Sequence, residues 1–414
     1  MIYRFLLIIL TFFAVGVDIT PGESLFAPGG IGYPTRAVSP QAIGMGGAGI
    51  AQVDSIYLHS SNPAGWFNTG LTRFSIGMRL YRGNSKDRQS QDDTEGFNFP
   101  GASLAFPLYH TLGLGFQYQT LTDNNFLIRR KRLLAPLPND ENGSGYLATE
   151  RNQGDGGLSR VGVIIAGKEK NIALGASADI YFGRLENFWE LAFQDDALDT
   201  SGQVIRRTMF GYGARLGMIA DLTPQWSVAS IISLPVRLDA DLRRRISRGA
   251  WYDEKSSMYF ELPFSAQLGT SYQAGRWRGN LDLGLEFWSK TSRDWGEIEG
   301  AWKYINTPHL AVGIERLPLR GALEPTYQKW IYRTGFHFDQ HYLEFGDDPV
   351  NEYGFAVGFG RPVRSQAGIV DIAITYDIRG SESKNGAREK IIGFHFGWSI
   401  KEQWFQRLRG REGK

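Results

Sequence analysis

The feature that most constrains the fold is a period-two alternation of apolar and polar residues, which recurs from residue 72 almost to the end. In the first run an apolar face opposes a polar one: Phe74, Ile76, Met78 and Leu80 against Arg73, Ser75, Gly77 and Arg79. Side chains on a strand point to opposite faces in turn, so this pattern predicts strands with one apolar face. In the run 260–268 the same rule places Phe260 on the apolar face and Glu261 on the polar face.

Continued along the chain, the pattern predicts about fourteen strands of roughly 9–13 residues, a length suited to crossing a membrane at a tilt. The predicted spans are 72–82, 98–107, 112–122, 158–168, 171–183, 207–220, 225–237, 257–272, 276–288, 307–316, 330–338, 352–361, 366–379 and 389–400.

The connections between these strands are of two kinds. Those after odd strands are long and polar, including 123–157, 184–206 and 238–256, whereas most of those after even strands are tight turns. Short turns on one side and long loops on the other are typical of an outer-membrane β-barrel. A soluble β-sandwich gives the same alternation, but the long strands, the nearly uncharged apolar face and the Trp and Tyr residues near strand ends favour the membrane barrel.

The N-terminus has the pattern of a secretory signal, predicted over residues 1–16. Arg4 precedes the apolar run from Phe5 to Phe13, and Ala14 and Gly16 supply small residues for cleavage. The alternative is an uncleaved anchor, although the run is too short to span a bilayer. The chain contains no cysteine, which excludes disulfides, thiolate metal sites and cysteine nucleophiles.

Between the signal and the first strand lies a glycine-dense, nearly uncharged stretch from Ala42 to Gly65. It is neither a good helix nor a good strand, and we expect it to fold into the lumen as a plug. The predicted organisation is a plug over residues 17–70, a barrel over 71–405 and a basic tail over 406–414.

Motifs for catalysis or cofactor binding lack the context they need. Gly44, Gly46 and Gly49 match a dinucleotide-binding fingerprint, but no buried strand precedes them and the expected acidic residue is missing. No spacing of histidines and carboxylates in the sequence indicates a metal site, and no catalytic motif is present. The formal net charge of +2 does not point to nucleic acid. We therefore predict a protein that is not an enzyme and has no cofactor or metal.

The polar face of the strands carries charges of both signs, which we expect to point into the lumen. The residues singled out as ion-pair candidates are Arg73, Arg79, Arg215, Glu315, Arg333 and Asp371. Two interpretations of these charges remain: a structural network of ion pairs around the plug, or a lining that selects a substrate. The mixture of both signs favours the network. Glu315 and Arg333, on neighbouring strands, are the best single candidate pair.

One predicted loop contains a basic run, Arg129 to Arg132, followed by apolar residues. Such a run could contact an amphipathic anion or anionic lipopolysaccharide, or it could be a solvated loop.

The plug stretch also resembles a known family. The run from Met45 to Gly49, the acidic Asp54 and the sequence Asn62-Pro63-Ala64-Gly65 resemble the hatch of FadL-type long-chain fatty-acid transporters and their relatives, including PorV and PorQ type proteins of type IX secretion. The resemblance implies a 14-strand barrel whose plug occludes the lumen and whose wall opens sideways to release ligands. It carries over Asn62, Pro63 and Ala64 as plug positions, and we include Gly46 and Gly47. Trp66 departs from the usual leucine.

The resulting hypothesis is passive uptake of a hydrophobic small molecule through the outer membrane of a Gram-negative-type bacterium. Its expected surroundings include outer-membrane lipid and lipopolysaccharide. The alternative is a component of type IX secretion or surface attachment whose loops bind an exported protein, and a mainly structural barrel is a third hypothesis.

A closed membrane barrel resists detergent denaturation until it is heated. We expect unboiled and boiled samples to migrate differently on a denaturing gel, and the protein to need detergent for solubility. Identical migration of a detergent-free soluble protein would contradict the barrel.

Overall fold

The computed structural model describes the following residues: 24–35, 39–54, 56–58, 61–67, 70–87, 91–109, 111–134, 145–194, 199–247, 251–294, 303–319, 321, 323–345, 348–363 and 368–402. The predicted signal sequence and the basic C-terminal tail lie outside these residues. No helix in the described part of the chain is long and apolar enough to cross a membrane.

From Thr72 to Glu402 the chain forms a closed antiparallel β-barrel of 14 strands, as the sequence predicted. Some wall strands are interrupted, and their segments are labelled separately. The strands are β1 Tyr33–Pro34, β2 Thr72–Asp87, β3 Gln91–Tyr109, β4 Leu112–Thr120, β5 Thr122–Asp123, β6 Phe126–Leu134, β7 Tyr146–Glu169, β8 Ile172–Phe193, β9 Ser201–Asp221, β10 Trp226–Ser233, β11 Val236–Ser247, β12 Trp251–Leu262, β13 Ser265–Ala274, β14 Trp277–Glu286, β15 Arg293–Asp294, β16 Thr307–Arg316, β17 Ile331–Phe345, β18 Asp348–Pro362, β19 Gly368–Ser381 and β20 Ala387–Glu402. The helices are α1 Pro40–Ile43 and the 3-10 helices Pro63–Trp66, Trp288–Lys290 and Thr326–Lys329.

The barrel closes because its first and last strands pair. β2 is antiparallel to β20 from Thr72 opposite Glu402 to Asp87 opposite Ala387, and its other side pairs with β3. Closure pairs the two edges that an open sheet would leave free, as a sheet in lipid requires in order to satisfy its backbone groups.

The outward face of the strands is rich in apolar side chains. Large exposed apolar side chains recur at every second position, among them Leu80, Phe116, Val163, Ile165, Leu174, Leu216, Leu268, Leu283, Ile314, Phe355, Ile374 and Phe394. Exposure of this kind is unfavourable in water and favourable against hydrocarbon, so it agrees with a membrane-spanning barrel.

Several strands are longer than the sequence predicted. β7, β8 and β9 have 24, 22 and 21 residues, whereas about 9–11 residues cross a membrane. Much of the predicted loops 123–157, 184–206 and 238–256 is therefore strand, and the basic run from Arg129 to Arg132 lies in β6. The sequence missed these extensions because a strand beyond the bilayer has water on its outer face and loses the apolar alternation.

One predicted face assignment is wrong. Phe260 is fully buried and Leu262 lines the lumen, so Glu261 lies on the opposite face rather than inside. Pro263 and Phe264 separate β12 from β13 without strand pairing, and beyond them Ser265 and Gln267 face the lumen. A one-residue change of phase moves every side chain to the other face, which is why one alternation could not describe both segments.

The described residues 24–67, here called the N-terminal segment, run through the barrel interior. α1 contacts β18, β19 and β20, and the helix Pro63–Trp66 contacts β7, β8 and β9. α1 begins where Ser39 accepts a hydrogen bond from the Ala42 amide and Pro40 occupies the first helical turn. Trp66 is fully buried with Leu58, Ala105 and Ile164.

Glycines on the inner wall let the backbone of the N-terminal segment approach closely. A Cβ at Gly335 would lie 2.0 Å from the carbonyl carbon of Met45, and one at Gly313 would lie 2.4 Å from the Met45 Cβ. These two glycines are opposite each other on β16 and β17. Any larger residue there has to displace the segment.

We therefore expect Gly335→Val to lower barrel stability by about 1–3 kcal/mol, the usual cost of overpacking. Gly279→Val is the matched control, because a Cβ at Gly279 on β14 has no atom within 4 Å. The measurement is the temperature at which the compact gel band converts to the unfolded one. Equal conversion temperatures for the two variants would contradict the tight contact.

Candidate functional site

The candidate site is the contact between the N-terminal segment and the inner wall. Asn62 begins the helix Pro63–Trp66: its Oδ1 accepts from the Ala64 amide at 2.9 Å, and its Nδ2 donates to the Ile50 carbonyl at 2.9 Å. Asparagine is a favoured helix N-cap, and the second bond ties the two ends of the segment's deep part together. Asn62 thus fixes the path of the chain at Pro63 and Ala64.

Asn62 and Pro63 pack against two glycines of the wall. A Cβ at Gly175 on β8 would lie 2.4 Å from the Pro63 carbonyl carbon, and one at Gly217 on β9 would lie 2.1 Å from Asn62 Oδ1. Gly175 and Gly217 are opposite each other in the sheet. Asn62, Pro63 and Ala64 therefore lie against the wall, which is where they would have to be to anchor a plug.

Gly46 and Gly47 both have positive φ, 68° and 88°, a region that favours glycine. Gly46 touches the wall, since a Cβ there would lie 2.6 Å from the Phe336 amide nitrogen. A Cβ at Gly47 would have nothing within 4 Å, and Gly47 lines the lumenal cavity. The two glycines thus have different surroundings.

A buried ion-pair network lies beside α1. Arg333 Nε donates to Glu315 at 2.7 Å and its Nη1 to Asp371 at 2.6 Å, and all three side chains are almost wholly excluded from solvent. Arg278 adds a second cation on Glu315 at 3.2 Å. Glu315, Arg333 and Asp371 come from β16, β17 and β19, so the network spans four consecutive wall strands and also fixes their register.

Tyr57 connects this network to the N-terminal segment. Its hydroxyl donates to Asp371 at 2.9 Å and accepts from Arg333 Nη2 at 2.8 Å. Burial raises the pKa of Tyr57 well above its ordinary value, so the hydroxyl keeps the proton it donates. The segment and the wall therefore share one hydrogen-bonded network.

Asp282 on β14 holds the segment by its backbone. Its Oδ2 accepts from the amides of Gly49 and Ile50 at 2.7 and 3.0 Å. Nearby, Asn280 donates to Gln52 at 3.1 Å and Gln52 donates to Glu315 at 3.3 Å. A carboxylate on consecutive amides is a charge-assisted contact and satisfies two buried donors of an irregular chain.

Arg73 and Arg215 bind carbonyl groups of the segment. Arg73 donates, at 3.0, 3.2 and 3.4 Å, to the oxygens of Asp54, Tyr57 and Trp66. Arg215 pairs with Asp179 at 2.7 Å and donates to the Ser61 carbonyl at 3.3 Å. Arg79, the sixth candidate, lies over the Tyr81 ring at 5.0 Å and lines the lumenal cavity.

Above the segment is a cavity of about 330 Å³ with a mixed lining. Its apolar contributors are Ile31, Ile43, Ile50, Leu121, Leu158, Ile231, Leu234, Val236, Leu262 and Trp288, and its charged ones include Arg79, Arg160, Arg215, Asp282, Glu286, Asp339, Glu352, Asp377 and Arg379. Below it, a second cavity of about 550 Å³ is lined by Ala51, Gln52 and Val53 together with the turn 221–225. The N-terminal segment lies between the two.

One side of the cavity is the wall between β3 and β6. β3 pairs with β4 only from Gly101 opposite Gln119 onward, and β6 pairs with β7. Between β4 and β6, Thr122 and Asp123 turn inward and pair with Pro34 and Tyr33 of the segment. In the described residues no register pair joins Gln91–Pro100 to β6, and we call this interruption the wall gap.

The sequence singled out the Asn62 motif and the buried charges, and it placed Asp282 on the lumenal face, but it did not indicate the contacts of Asp282 and Tyr57 or the wall gap. Asp282 lies on the polar face of a regular strand, as several other carboxylates do. The residues around it in the sequence therefore do not indicate that it binds two backbone amides. The wall gap depends on a two-residue pairing between β1 and β5, which are 88 residues or more apart in sequence. Composition and periodicity do not detect such a pairing.

Breaking a buried ion pair by removing one partner leaves the other charge desolvated. We expect Arg333→Ala to lower barrel stability by about 3–5 kcal/mol, because Glu315 and Asp371 lose their shared cation. Arg82→Ala is the control, because Arg82 pairs with Asp93 and Glu95 at 3.6 and 3.4 Å while its side chain is 65% exposed. Equal denaturation midpoints for the two variants would show that the buried pair does not stabilise the barrel.

Solved structures of known barrels superpose on almost the whole wall. A Pseudomonas aeruginosa FadL homologue matches with a TM-score of 0.61 at 14% identity, covering 89% of this chain and 99% of that one. The CymD monoaromatic hydrocarbon channel gives 0.58 at 15%, covering 89% and 98%, and the Ralstonia pickettii toluene transporter TbuX gives 0.55 at 15%, covering 88% and 98%. The predicted resemblance to FadL-type barrels is confirmed for the fold.

The sequence itself was compared with curated proteins and with family models. No curated protein sequence matches it. The model of the family described as BamG matches residues 1–409, which is nearly the full length. The chain therefore belongs to the BamG family and has a barrel of the FadL type.

Proposed function

We propose that this protein is an outer-membrane channel for passive entry of hydrophobic or amphipathic small molecules, with the N-terminal segment as its hatch. The observation that carries the proposal is the cavity of about 330 Å³ that adjoins both the wall gap and the segment. Asn98, Pro100 and Thr122 line the cavity on the gap side, and Ile43, Gly47 and Ile50 line it on the segment side. A molecule held there has a side route in the wall and a barrier beneath it.

The lining favours a molecule with an apolar body and a polar group. CymD and TbuX, which share the fold, are a hydrocarbon channel and a toluene transporter, and this likeness supports apolar cargo. The cavity of this chain also exposes guanidinium, carboxylate and amide groups. A purely apolar ligand would desolvate them without hydrogen bonds, at a cost of about 1–3 kcal/mol for each group. A medium-chain fatty acid fits this mixture better than toluene does.

The contacts of the segment favour exit through the wall gap. Release through the floor requires breaking the bonds of Tyr57, Asp282 and Arg73, all of them buried. Release through the gap displaces the contacts of Asn98 with Asp123 and of Thr120 with the Phe99 carbonyl, at 3.5 and 2.9 Å. The second set is smaller and contains no buried ion pair, so its disruption costs less.

A protein-binding role, such as the secretion component considered from the sequence, is the second candidate. It is favoured by the length of β7, β8 and β9, whose paired ends extend beyond what a membrane crossing needs. The backbone and side chains of such a ribbon could bind an exported protein. Truncation of the β6–β7 ribbon would then abolish surface retention of that protein while leaving small-molecule flux intact. Neither candidate function involves catalysis.

The side route can be tested by closing it, because the natural chain has no cysteine. In the variant Asn98→Cys, Asp123→Cys a short cross-linker attached through disulfides joins β3 to β5 at the gap, where Asn98 Nδ2 and Asp123 Oδ2 are 3.5 Å apart in the natural protein. We expect cross-linking to reduce laurate flux into proteoliposomes to that of protein-free vesicles, and reductive cleavage of the linker to restore it.

The matched control is Ser103→Cys, Gln117→Cys, which joins two strands that are already paired at that position. Its flux should not change on cross-linking. Laurate flux that is equal before and after cross-linking of the gap variant would refute exit through the wall. Flux no higher than in empty vesicles for the unmodified protein would refute the channel.

A further inference from the structure

Four side chains converge on the lumenal face of β17, β18 and β19. His337 Nε2 lies 3.2 Å from Glu352 Oε1, 3.7 Å from Asp377 Oδ1 and 3.9 Å from Asp339 Oδ2. One imidazole nitrogen thus faces three carboxylate oxygens beside the cavity, and the plug contacts described above do not use them.

Strand register creates the cluster. Asp339 is opposite Glu352, and Gly354 lies between His337 on one side and Asp377 on the other. A Cβ at Gly354 would lie 1.9 Å from the His337 ring and 2.4 Å from Asp377 Oδ1. The absent side chain therefore leaves the space in which the imidazole and the carboxylate meet.

Each carboxylate is oriented by a second contact. Glu352 Oε2 accepts from Tyr33 at 2.6 Å and from Arg379, which leaves Oε1 toward His337. His309 binds Asp339 Oδ1 at 2.6 Å, which leaves Oδ2 toward the cluster. Outer contacts that orient carboxylate and imidazole groups in this way are typical of metal sites.

The fourth ligand supplies an independent observation. Asp377 is 5% exposed, its Oδ2 accepts from Thr375 at 3.1 Å, and its Oδ1 has no hydrogen-bond partner in the described structure. That oxygen faces His337 Nε2 at 3.7 Å, which is too long for a hydrogen bond. A buried carboxylate oxygen without a partner is costly unless a further group binds it.

A protonated histidine satisfies this cluster poorly. Its Nε2 carries one hydrogen, which reaches Glu352 and leaves the other two carboxylates beyond hydrogen-bonding distance. Ligand atoms of His337, Asp339 and Glu352 all lie within 4.8 Å of one another, and Asp377 Oδ1 is 3.7 Å from the His337 nitrogen. Zn²⁺ binds imidazole and carboxylate at about 2.0–2.2 Å, so small side-chain movements bring these groups onto one ion.

We propose that His337, Asp339, Glu352 and Asp377 form a lumenal binding site for a divalent transition-metal ion such as Zn²⁺. The imidazole selects a transition metal over Mg²⁺ or Ca²⁺, which prefer all-oxygen sites. Because Tyr33 of the N-terminal segment bonds Glu352, the ion fixes the outer end of the segment to the wall. This site is independent of which molecule passes through the barrel.

The test is calorimetric titration of ZnCl₂ into tag-free, chelator-treated full-length protein in detergent. We expect one ion per chain. His337→Ala and Asp377→Asn should each weaken binding by about 10-fold or more, since even outer contacts of metal ligands contribute 10–100-fold. Gly354→Ala should also weaken it, although all four ligands remain, because the added methyl occupies the space between them.

Glu286→Gln is the matched control. Glu286 lines the same cavity but accepts from Trp288 and Thr307 at 2.7 and 3.3 Å, away from the cluster. It should bind Zn²⁺ as the natural protein does, and heat-dependent gel migration identifies variants that have folded. Absence of Zn²⁺ binding by the natural protein, or equal affinity in folded His337→Ala and Glu286→Gln, would overturn the proposal.

Discussion

Arg333 is the charge on which the interior depends. A fully buried guanidinium is tolerated only if carboxylates and further acceptors surround it, and Glu315, Asp371 and Tyr57 supply these. The two carboxylates fix the register of four consecutive wall strands, while Tyr57 belongs to the N-terminal segment. Wall and segment therefore require each other: without Tyr57 the network loses an uncharged partner, and without the network Tyr57 has no buried partner for its hydroxyl.

The irregular backbone of the segment explains why the lumen is so polar. A chain without long helices or strands cannot satisfy its own amides and carbonyls, so the wall has to bind them. Asp282 accepts hydrogen bonds from two amides of the segment, while Arg73 and Arg215 donate to its carbonyl groups. Much of the lumenal charge thus serves the segment, as the mixture of both signs suggested, and it need not report the chemistry of a transported molecule. Glycines at the points of closest contact allow the approach that these bonds require.

The sequence predicts the parts of this structure whose signals are local. Runs such as 72–80 and 370–378 alternate strictly because one face meets lipid and the other the lumen, and there the predicted strands agree with β2 and β19. The alternation fails at Phe260, where an unpaired Pro263–Phe264 step changes its phase, and in the ends of β7 to β9, where water replaces lipid. The spacing in the sequence does not reveal the cluster of His337, Asp339, Glu352 and Asp377. Only His337 and Asp339 are on one strand, two positions apart, and the other two residues are brought beside them by the pairing register of β17, β18 and β19. The wall gap is equally invisible, since β5 leaves the wall to pair with a residue pair far back in the chain.

The contacts of the segment with the wall form two groups along its length. The stretch from Gly49 to Trp66 carries the Asp282, Tyr57, Arg73 and Asn62 contacts, and displacing it means exposing several charged hydrogen bonds at once. The stretch around Tyr33 is held by the short pairing of β1 with β5, by Thr122 Oγ1 donating to the Ile31 carbonyl at 2.6 Å, and by the Tyr33 bond to Glu352. The buried Tyr342 hydroxyl adds two bonds: it accepts from the Ile31 amide at 2.9 Å and donates to the Gly32 carbonyl at 2.8 Å. This stretch also adjoins the wall gap. A metal ion on Glu352 would therefore act on the stretch that adjoins the wall gap. Tyr33 links the two places directly, because its phenol side chain bonds the β18 carboxylate while its backbone pairs with Asp123 at the gap.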